Sequence, residues 1–293
     1  MAIGNFDGLH LGHKSVINYA KTISKKINRP LSILTFEPHP KCYFQNRRKG
    51  FRITPFRIKY ELAKNENVDY FFNLKFEENF SKISAEDFIL KILINKFKVQ
   101  HIVTGFDFVF GHKQKGDTKL LETFALKTNR YSCSVVKEYK IKKFKEFSSS
   151  QIRTYLSKGN IKKANELLGR NWSIKSRVVM GKKMARTIGF PTANIIINKY
   201  CELCFGVYAV EVRLKNEFSN STFKGIANYG VKPTFKKSEP ILEVYIFDFD
   251  KKIYGELIEV FFKSFIRKER KLGDISELKI QIKKNIKNCK SGT

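Results

Sequence analysis

A-I-G-N-F-D-G-L-H-L-G-H-K-S, residues 2–15, holds three glycines and two of the chain's five histidines. Ala2 to Asn5 read as the end of a strand, and a helix is expected to begin near His10. A glycine-rich turn between them leaves backbone N–H groups pointing into open space, and the helix dipole adds positive potential at the same spot. Such a junction is a phosphate site. His10 and His13 stand three residues apart, so on a first helical turn they point the same way and converge on it. Paired imidazoles there suit the charge that builds on an α-phosphate during nucleotidyl transfer, a reaction governed by positioning and electrostatics. A metal centre is the weaker alternative, because no third ligand is evident. Packing alone is weaker still, since a core has no need of Gly4, Gly8 and Gly12 around the pair.

Outward from this stretch the chain alternates. Strand candidates at 31–36, 68–74, 99–106 and 133–139 are separated by helical patterns at 14–27, 55–66, 84–97 and 117–128. The third helix opens on Ser84 with Asp87 at capping spacing. Strand then helix, repeated, predicts a parallel sheet covered on both faces, with ligands at the carboxyl ends of its strands. From about residue 172 the texture changes to closely spaced strands: WSIKSRVVM, FGVYAVEVRL, FKGIANYG, ILEVYIFDF and LIEVFFKSFI. These predict a small antiparallel barrel. A closing helix is expected to gather Ile275, Leu278, Ile282 and Ile286 on one face, with Asp274 and Glu277 at capping spacing. Residues 149–169 read as two short connecting helices. With 293 residues, two domains are expected, 1–168 and 169–293.

Composition narrows the function. A formal charge of +30 invites a nucleic-acid reading. The basic residues are mostly lysines spread along the whole chain, however, whereas an RNA surface concentrates arginine and aromatics in one stripe. Only weak, non-specific nucleic-acid binding is expected from the charge. No apolar run is long enough to cross a membrane and no signal-peptide pattern opens the chain, so a cytoplasmic protein is expected. Five scattered cysteines do not make a disulfide framework, and the Cys201/Cys204 pair lacks the second ligand pair of a zinc site. Gly111 to Thr118 has the glycine spacing of a P-loop without its lysine, so ATP is not held in that fashion.

H-x-G-H after G-N-F-D-G resembles the nucleotidyltransferase half of the bifunctional bacterial riboflavin kinase/FAD synthetase family, and the resemblance runs in order along the whole chain. It continues through T-F-E-P-H-P (35–40), G-F-D-F-V-F-G (105–111) and S-S-S-Q-I-R (148–153). The second half adds R-T-I-G-F-P-T-A-N (186–194), G-V-Y-A-V (206–210), N-Y-G-V-K-P-T-F (228–235), and L-E-V-Y-I-F-D-F (242–249) through Y-G-E to F-I-R-K-E-R-K. H-x-G-H is shared by many nucleotidyltransferases; the G-F-P-T-A-N and N-x-G-x-x-P-T-F pair is far more specific.

The resemblance implies a Rossmann-like nucleotidyltransferase domain with a parallel sheet, followed by a β-barrel riboflavin kinase domain. It implies phosphorylation of riboflavin by ATP to FMN, then adenylylation of FMN to FAD with release of pyrophosphate. His10 and His13 would contact the ATP phosphates, with Gly4, Asn5, Phe6, Asp7 and Gly8 in the same loop. Ser149, Ser150 and Arg153 would form a second phosphate-binding element, hydroxyls and an arginine fork at a helix start. Asp107 and Phe108 would lie near the flavin phosphate or the adenine. In the kinase half, Gly181, Arg186, Gly189, Phe190 and Pro191 would border ATP, and Thr192 and Asn194 would serve Mg²⁺ and its phosphates with oxygen donors. Glu243 would be the general base on the ribityl 5′-hydroxyl. It stands at an alternating position beside Tyr245 and Phe247 in an otherwise apolar strand, where a carboxylate needs a partner or a task.

Departures from the family pattern temper these expectations. Only Met1, Ala2 and Ile3 precede G-N-F-D-G, so the first strand is expected to be clipped although it should run centrally in the sheet, and one activity could be lost with it. Ala185 replaces a glycine in the loop before R-T-I-G-F-P-T-A-N, and Tyr229 and Lys232 replace an aliphatic residue and an arginine. Two rival readings stand beside the family: an H-x-G-H nucleotidyltransferase with another acceptor, and an RNA-binding module. The sequence does not report oligomeric state.

Overall fold

The computed structural model describes residues 1–46, 49–138, 147–180, 190–214, 221–231, 240–269 and 284. The chain forms two compact units, Met1–Gln151 and Ile152–Thr293.

In the first unit, strand β1 (Ala2–Ile3) leads through the glycine loop to helix α1 (Leu11–Lys26). Strand β2 (Ser32–Glu37), helices α2 (Pro40–Phe44) and α3 (Phe56–Asn65), and strand β3 (Tyr70–Lys75) follow. After the single turn α4 (Glu78–Ser81), α5 (Ala85–Asp87) continues as a π-helix over Phe88–Lys96. Strand β4 (His101–Gly105), helix α6 (Thr118–Thr128) and strand β5 (Ser132–Val136) complete the unit. Ser84 caps α5 as expected, its Oγ accepting from Asp87 N at 2.9 Å.

The five strands are all parallel, in the order β3-β2-β1-β4-β5. Period-two alternation feeds both faces. Ala2, Ile33 and Val103 point into one core with Ile17 of α1 and Ala63 of α3. Ile3, Leu34 and Ile102 point into the other with Phe88, Leu93 and Leu121. β1 is only two residues long yet sits in the centre, its Ala2 opposite both Ile33 and Val103. The Met1 ammonium donates to His101 O at 2.7 Å at its foot. The reversal of strand order about β1 puts the glycine loop at the carboxyl ends of the central strands, where doubly wound sheets bind ligands.

Helix α7 (Ser149–Ser157) carries the chain from one unit into the other, and α8 (Ile161–Leu168) ends at Gly169, whose φ of 65° suits a glycine C-cap. α8 packs on β11 (Leu257–Lys268) of the second unit. There, β6 (Ser173–Val179), β7 (Thr192–Ile196), β8 (Gly206–Leu214), β9 (Thr222–Gly230), β10 (Ile241–Ile246) and β11 close into an antiparallel barrel in the order β10-β7-β6-β11-β8-β9. Register breaks in β11 after Phe262 and Phe265 bend the strand that pairs with both β6 and β8. Leu242, Val244 and Ile246 fill the interior with Ala193, Ile195 and Ala227. The sequence predicts five of the six strands. β7 is the addition, inside the stretch that stands out as a ligand motif. The expected C-terminal helix at 274–286 lies outside the described residues apart from the helical Lys284.

Candidate active sites

The glycine loop is held from below at almost every residue. Gly4 N donates to Leu34 O at 3.1 Å and ends β1. The Asn5 carbonyl accepts from Thr35 Oγ1 at 3.2 Å and from Lys59 Nζ at 3.1 Å. Phe6, buried, takes a φ of 48°, a region that non-glycine residues enter at a cost and mostly where function demands it. Asp7 is 1% exposed, and its carboxylate accepts from Ile53 N at 3.2 Å and Thr54 N at 3.0 Å. Gly8 N donates to Thr54 Oγ1 at 2.8 Å. Gly8 also needs to be glycine: its φ is 90°, and a Cβ would stand 3.1 Å from Ile53 Cδ1.

His10 is the N-cap of α1, its Nδ1 accepting from His13 N at 3.3 Å. The two imidazoles stack with centroids 3.6 Å apart and planes 22° from parallel. Phe6 meets His13 edge-on at 5.3 Å. A Cβ on Gly12 would lie 3.2 Å from the His10 ring, so this glycine gives the imidazole room to fold back over the helix start. The expected convergence of the pair on the helix N-terminus is therefore present, with His10 at the cap and His13 in the first turn. α1 has no acidic residue in that turn, which leaves its positive end uncompensated. Asn5 Oδ1 and Thr104 Oγ1, at the ends of β1 and β4, are buried with no hydrogen-bond partner among the described residues. Buried polar atoms of this kind call for a ligand or water.

One other expected residue, Ser149, touches the same loop. Ser149 Oγ donates to Asp7 O at 2.8 Å, and Ser148 Oγ accepts from Gln151 N at 3.2 Å as the cap of α7. Ser150 is exposed at the start of that helix, and Arg153 follows one turn later, in the second compact unit. Asp107 and Phe108 follow β4; Asp107 is exposed and the Phe108 ring stacks on Phe110 at 5.4 Å.

Three residues of this region go beyond the sequence expectations. Arg52 pairs with Glu37 at the end of β2. Lys59, on α3, is 1% exposed, and its Nζ donates to Thr35 Oγ1 at 2.9 Å as well as to Asn5 O. Burial, aided by the Arg52 charge, pushes the Lys59 ammonium down to about 8, with Asp7 and Glu37 acting in the opposite direction. The available signal was a lysine at a core position of an amphipathic helix, next to buried Ile58.

The second site lies on the outer face of the barrel. Cross-strand register sets Glu243 of β10 opposite Asn194 of β7 and Asn228 of β9, so the three form one row across three strands. Tyr245 stands opposite Thr192 in the next row of that face. The buried Phe190 ring meets Tyr245 edge-on at 5.3 Å, where Pro191 leads into β7. Glu243 is thus in an alternating position on a strand whose other face is apolar, and Asn194 is buried beside it. Hydroxyl, amide and carboxylate oxygens in adjacent positions are the donor set of a hard divalent cation. Asn228, outside the expected site, completes the row. Gly181, Arg186, Gly189, Ala185 and Lys232 lie outside the described residues. Cys201 is buried and Cys204 half-buried.

Comparison with known proteins covers both units. The FAD synthetase family model matches residues 1–151 and the riboflavin kinase family model matches residues 168–292. A bifunctional riboflavin kinase/FMN adenylyltransferase from Haemophilus influenzae is 36% identical over 99% of this chain and 93% of its own. The protein of the same name from Bacillus subtilis is 38% identical over 97% of this chain and 89% of its own. A solved structure described as a macrolide-efflux protein from Streptococcus pneumoniae superposes with a TM-score of 0.85 at 29% identity, covering 99% of this chain and 93% of that one. Among the described residues of this chain no helix is long and apolar enough to cross a membrane. Two family models in tandem and full-length relatives that share both units leave one conclusion: the chain belongs to the bifunctional riboflavin kinase/FMN adenylyltransferase family.

Proposed function

We propose how the two activities of the family are distributed over this chain. It is a bifunctional transferase that makes FMN from riboflavin and ATP, and FAD from FMN and a second ATP. In the barrel, Glu243 accepts the proton of the ribityl 5′-hydroxyl as that oxygen attacks the γ-phosphorus of ATP; the bond to the bridging oxygen breaks and ADP leaves. Thr192 and Asn194 would hold Mg²⁺, which supplies charge neutralisation on the phosphates when bound. Phe190 and Pro191, which lead into β7, border the ATP. In the first unit, a phosphate oxygen of FMN attacks the α-phosphorus of the second ATP and pyrophosphate departs. His10 and His13, backed by the α1 N-terminus, stabilise the negative charge that builds on the α-phosphate. The loop Gly4, Asn5, Phe6, Asp7 and Gly8 seats the phosphates, Ser149, Ser150 and Arg153 take the pyrophosphate end, and Asp107 and Phe108 flank the flavin side.

The observation that carries the reading is the stacked imidazole pair at the start of a helix without acidic residues, reached from a tied-down glycine loop. The functional boundary is proposed at 168/169, supported by the second family match beginning at residue 168. A cytoplasmic setting belongs to the same reading, since both reactions draw on ATP. Partners are the small-molecule substrates; nucleic acid is contacted only non-specifically, through charge, if at all. His13→Ala should stop FAD formation while FMN accumulates from riboflavin, and Glu243→Gln should stop riboflavin phosphorylation while supplied FMN still becomes FAD. Product chromatography reads both, and loss of both steps in either variant would refute separate sites.

A further inference from the structure

The mechanism above leaves unused Lys59, the one buried lysine among the described residues, which reaches the floor of the glycine loop. α3 turns Ile58, Lys59 and Ala63 toward the core. A lysine is almost never fully buried unless a carboxylate pairs with it, because desolvating the ammonium is costly. The Lys59 ammonium instead donates to two neutral oxygens, Asn5 O at 3.1 Å and Thr35 Oγ1 at 2.9 Å. The charged groups around it are Arg52, Asp7 and Glu37; the first disfavours its charge and the other two favour it. The Asp7 carboxylate is already engaged by Ile53 N and Thr54 N, and Glu37 by Arg52. A methionine of similar length would fill this space without the desolvation cost, so the charge calls for another explanation.

That explanation lies in what the carbonyl belongs to. Asn5 O is the oxygen of the peptide that enters Phe6, the loop residue with a φ of 48°. In a trans peptide the C=O and N–H point in opposite directions. An ammonium that pins and polarises the carbonyl from below therefore aims the Phe6 N–H away from the core and strengthens it as a donor. The same residue carries a side-chain Oδ1 that is buried with no partner among the described residues. Thr35 Oγ1, bonded to the same carbonyl and to Lys59, closes the triangle.

We propose that Lys59 is a positioning residue for FMN adenylylation: its charged Nζ, through Asn5 O and Thr35 Oγ1, holds the Asn5–Phe6 peptide in the orientation that receives the ATP phosphates. This rests on the assignment of the glycine loop and His13 to adenylyl transfer. The ammonium is held near 8, so it is present at neutral pH and is lost as pH rises through that value.

The test is the pH dependence of FMN-to-FAD turnover between pH 6.5 and 9.5 on the full-length enzyme, with riboflavin phosphorylation followed in the same preparations. The wild type should lose adenylylation kcat above about pH 8, falling about tenfold per unit once Lys59 deprotonates. Lys59→Arg, charged throughout, should keep the activity and shed that alkaline limb. Lys59→Met should show a low, pH-independent kcat with KM for FMN changed less than about twofold, and riboflavin phosphorylation unaltered. A wild-type profile flat to pH 9.5, or an alkaline limb identical in Lys59→Arg, overturns the proposal. The comparison of wild type with Lys59→Arg decides it even where Lys59→Met does not fold. His13→Ala in parallel separates the two levels: retained FAD synthesis there rejects the site assignment, whereas its loss beside an unshifted Lys59→Arg limb rejects only the role of Lys59.

Discussion

Asp7→Asn is the sharpest test of how the glycine loop is built. The change keeps the shape of the side chain and removes its charge. The carboxylate accepts from Ile53 N at 3.2 Å and Thr54 N at 3.0 Å, with Thr54 Oγ1 at 3.4 Å. An amide offers one acceptor oxygen and a donor group, so one buried backbone N–H would face another donor. Leaving such a group unsatisfied costs about 1–3 kcal/mol, and charge-assisted bonds raise the loss toward about 3 kcal/mol. For a unit of this size, that lowers its melting temperature by roughly 6–12 °C. A second effect follows from Asp7 supporting the charge on Lys59. Without it the ammonium is lost at lower pH, and the alkaline limb of adenylylation should move toward neutrality. The assay is thermal unfolding together with residual activity after heating, followed separately for FAD formation from FMN and for riboflavin phosphorylation. FAD formation should be lost first. A variant that melts within 1–2 °C of wild type on about that energetic scale, with an unchanged adenylylation profile, would refute the claim that this carboxylate organises the loop.

Two other perturbations probe the barrel and the buried lysine. A Cβ at Gly225 would lie 2.5 Å from Tyr245 O, a backbone atom that cannot swing away. Gly225→Ala should therefore cost about 1–3 kcal/mol and push β9 from β10, where Asn228 and Glu243 pair. Riboflavin phosphorylation should fall well below FAD formation from supplied FMN; equal retention of both would contradict the placement of Glu243. Lys59 also makes a prediction about stability whose sign is opposite to that for activity. Between pH 8 and its ordinary 10.5, the unfolded chain binds a proton that the folded chain has released, so the first unit gains stability as pH rises. From pH 8 to 9.5 the gain should be about 1.5 kcal/mol relative to Lys59→Met, read from urea denaturation. Identical pH slopes in the two proteins would show that Lys59 keeps its charge throughout.

Much of this architecture is legible in the sequence because its signals are local. The strand, glycine turn and histidine helix proposed to hold phosphate are visible in residues 2–15 alone, and the alternation of strand and helix behind them predicts the parallel sheet. Local signals fail where tertiary contacts decide. In β7 the period-two pattern is present, Ala193 and Ile195 on one face and Thr192 and Asn194 on the other, but the strand is five residues long, its buried Asn194 is polar and its apolar Ile196 is exposed. Its sixth place in the barrel comes from pairing with β6 and β10. Phe88, Ile89, Leu93 and Ile94 face the core at a spacing of five, which a π-helix delivers and an α-helical period of 3.6 does not. Lys59 looks like one of many surface lysines in a chain of charge +30. Its place beside Ile58 on the core face of α3 is the one local sign, and the approach of α3 to Thr35 and Asn5, residues distant in sequence, reveals what the buried ammonium bonds.

The central claim is that one chain binds ATP at two different places for two different reactions. A crystal structure with a non-hydrolysable ATP analogue, FMN and Mg²⁺ tests it most directly. The account predicts a triphosphate whose α-phosphorus lies against the His10 and His13 imidazoles at the start of α1. A second nucleotide should have its phosphates and metal at Thr192 and Asn194, beside Glu243. Nucleotide phosphates lodged away from those side chains in either unit would contradict it.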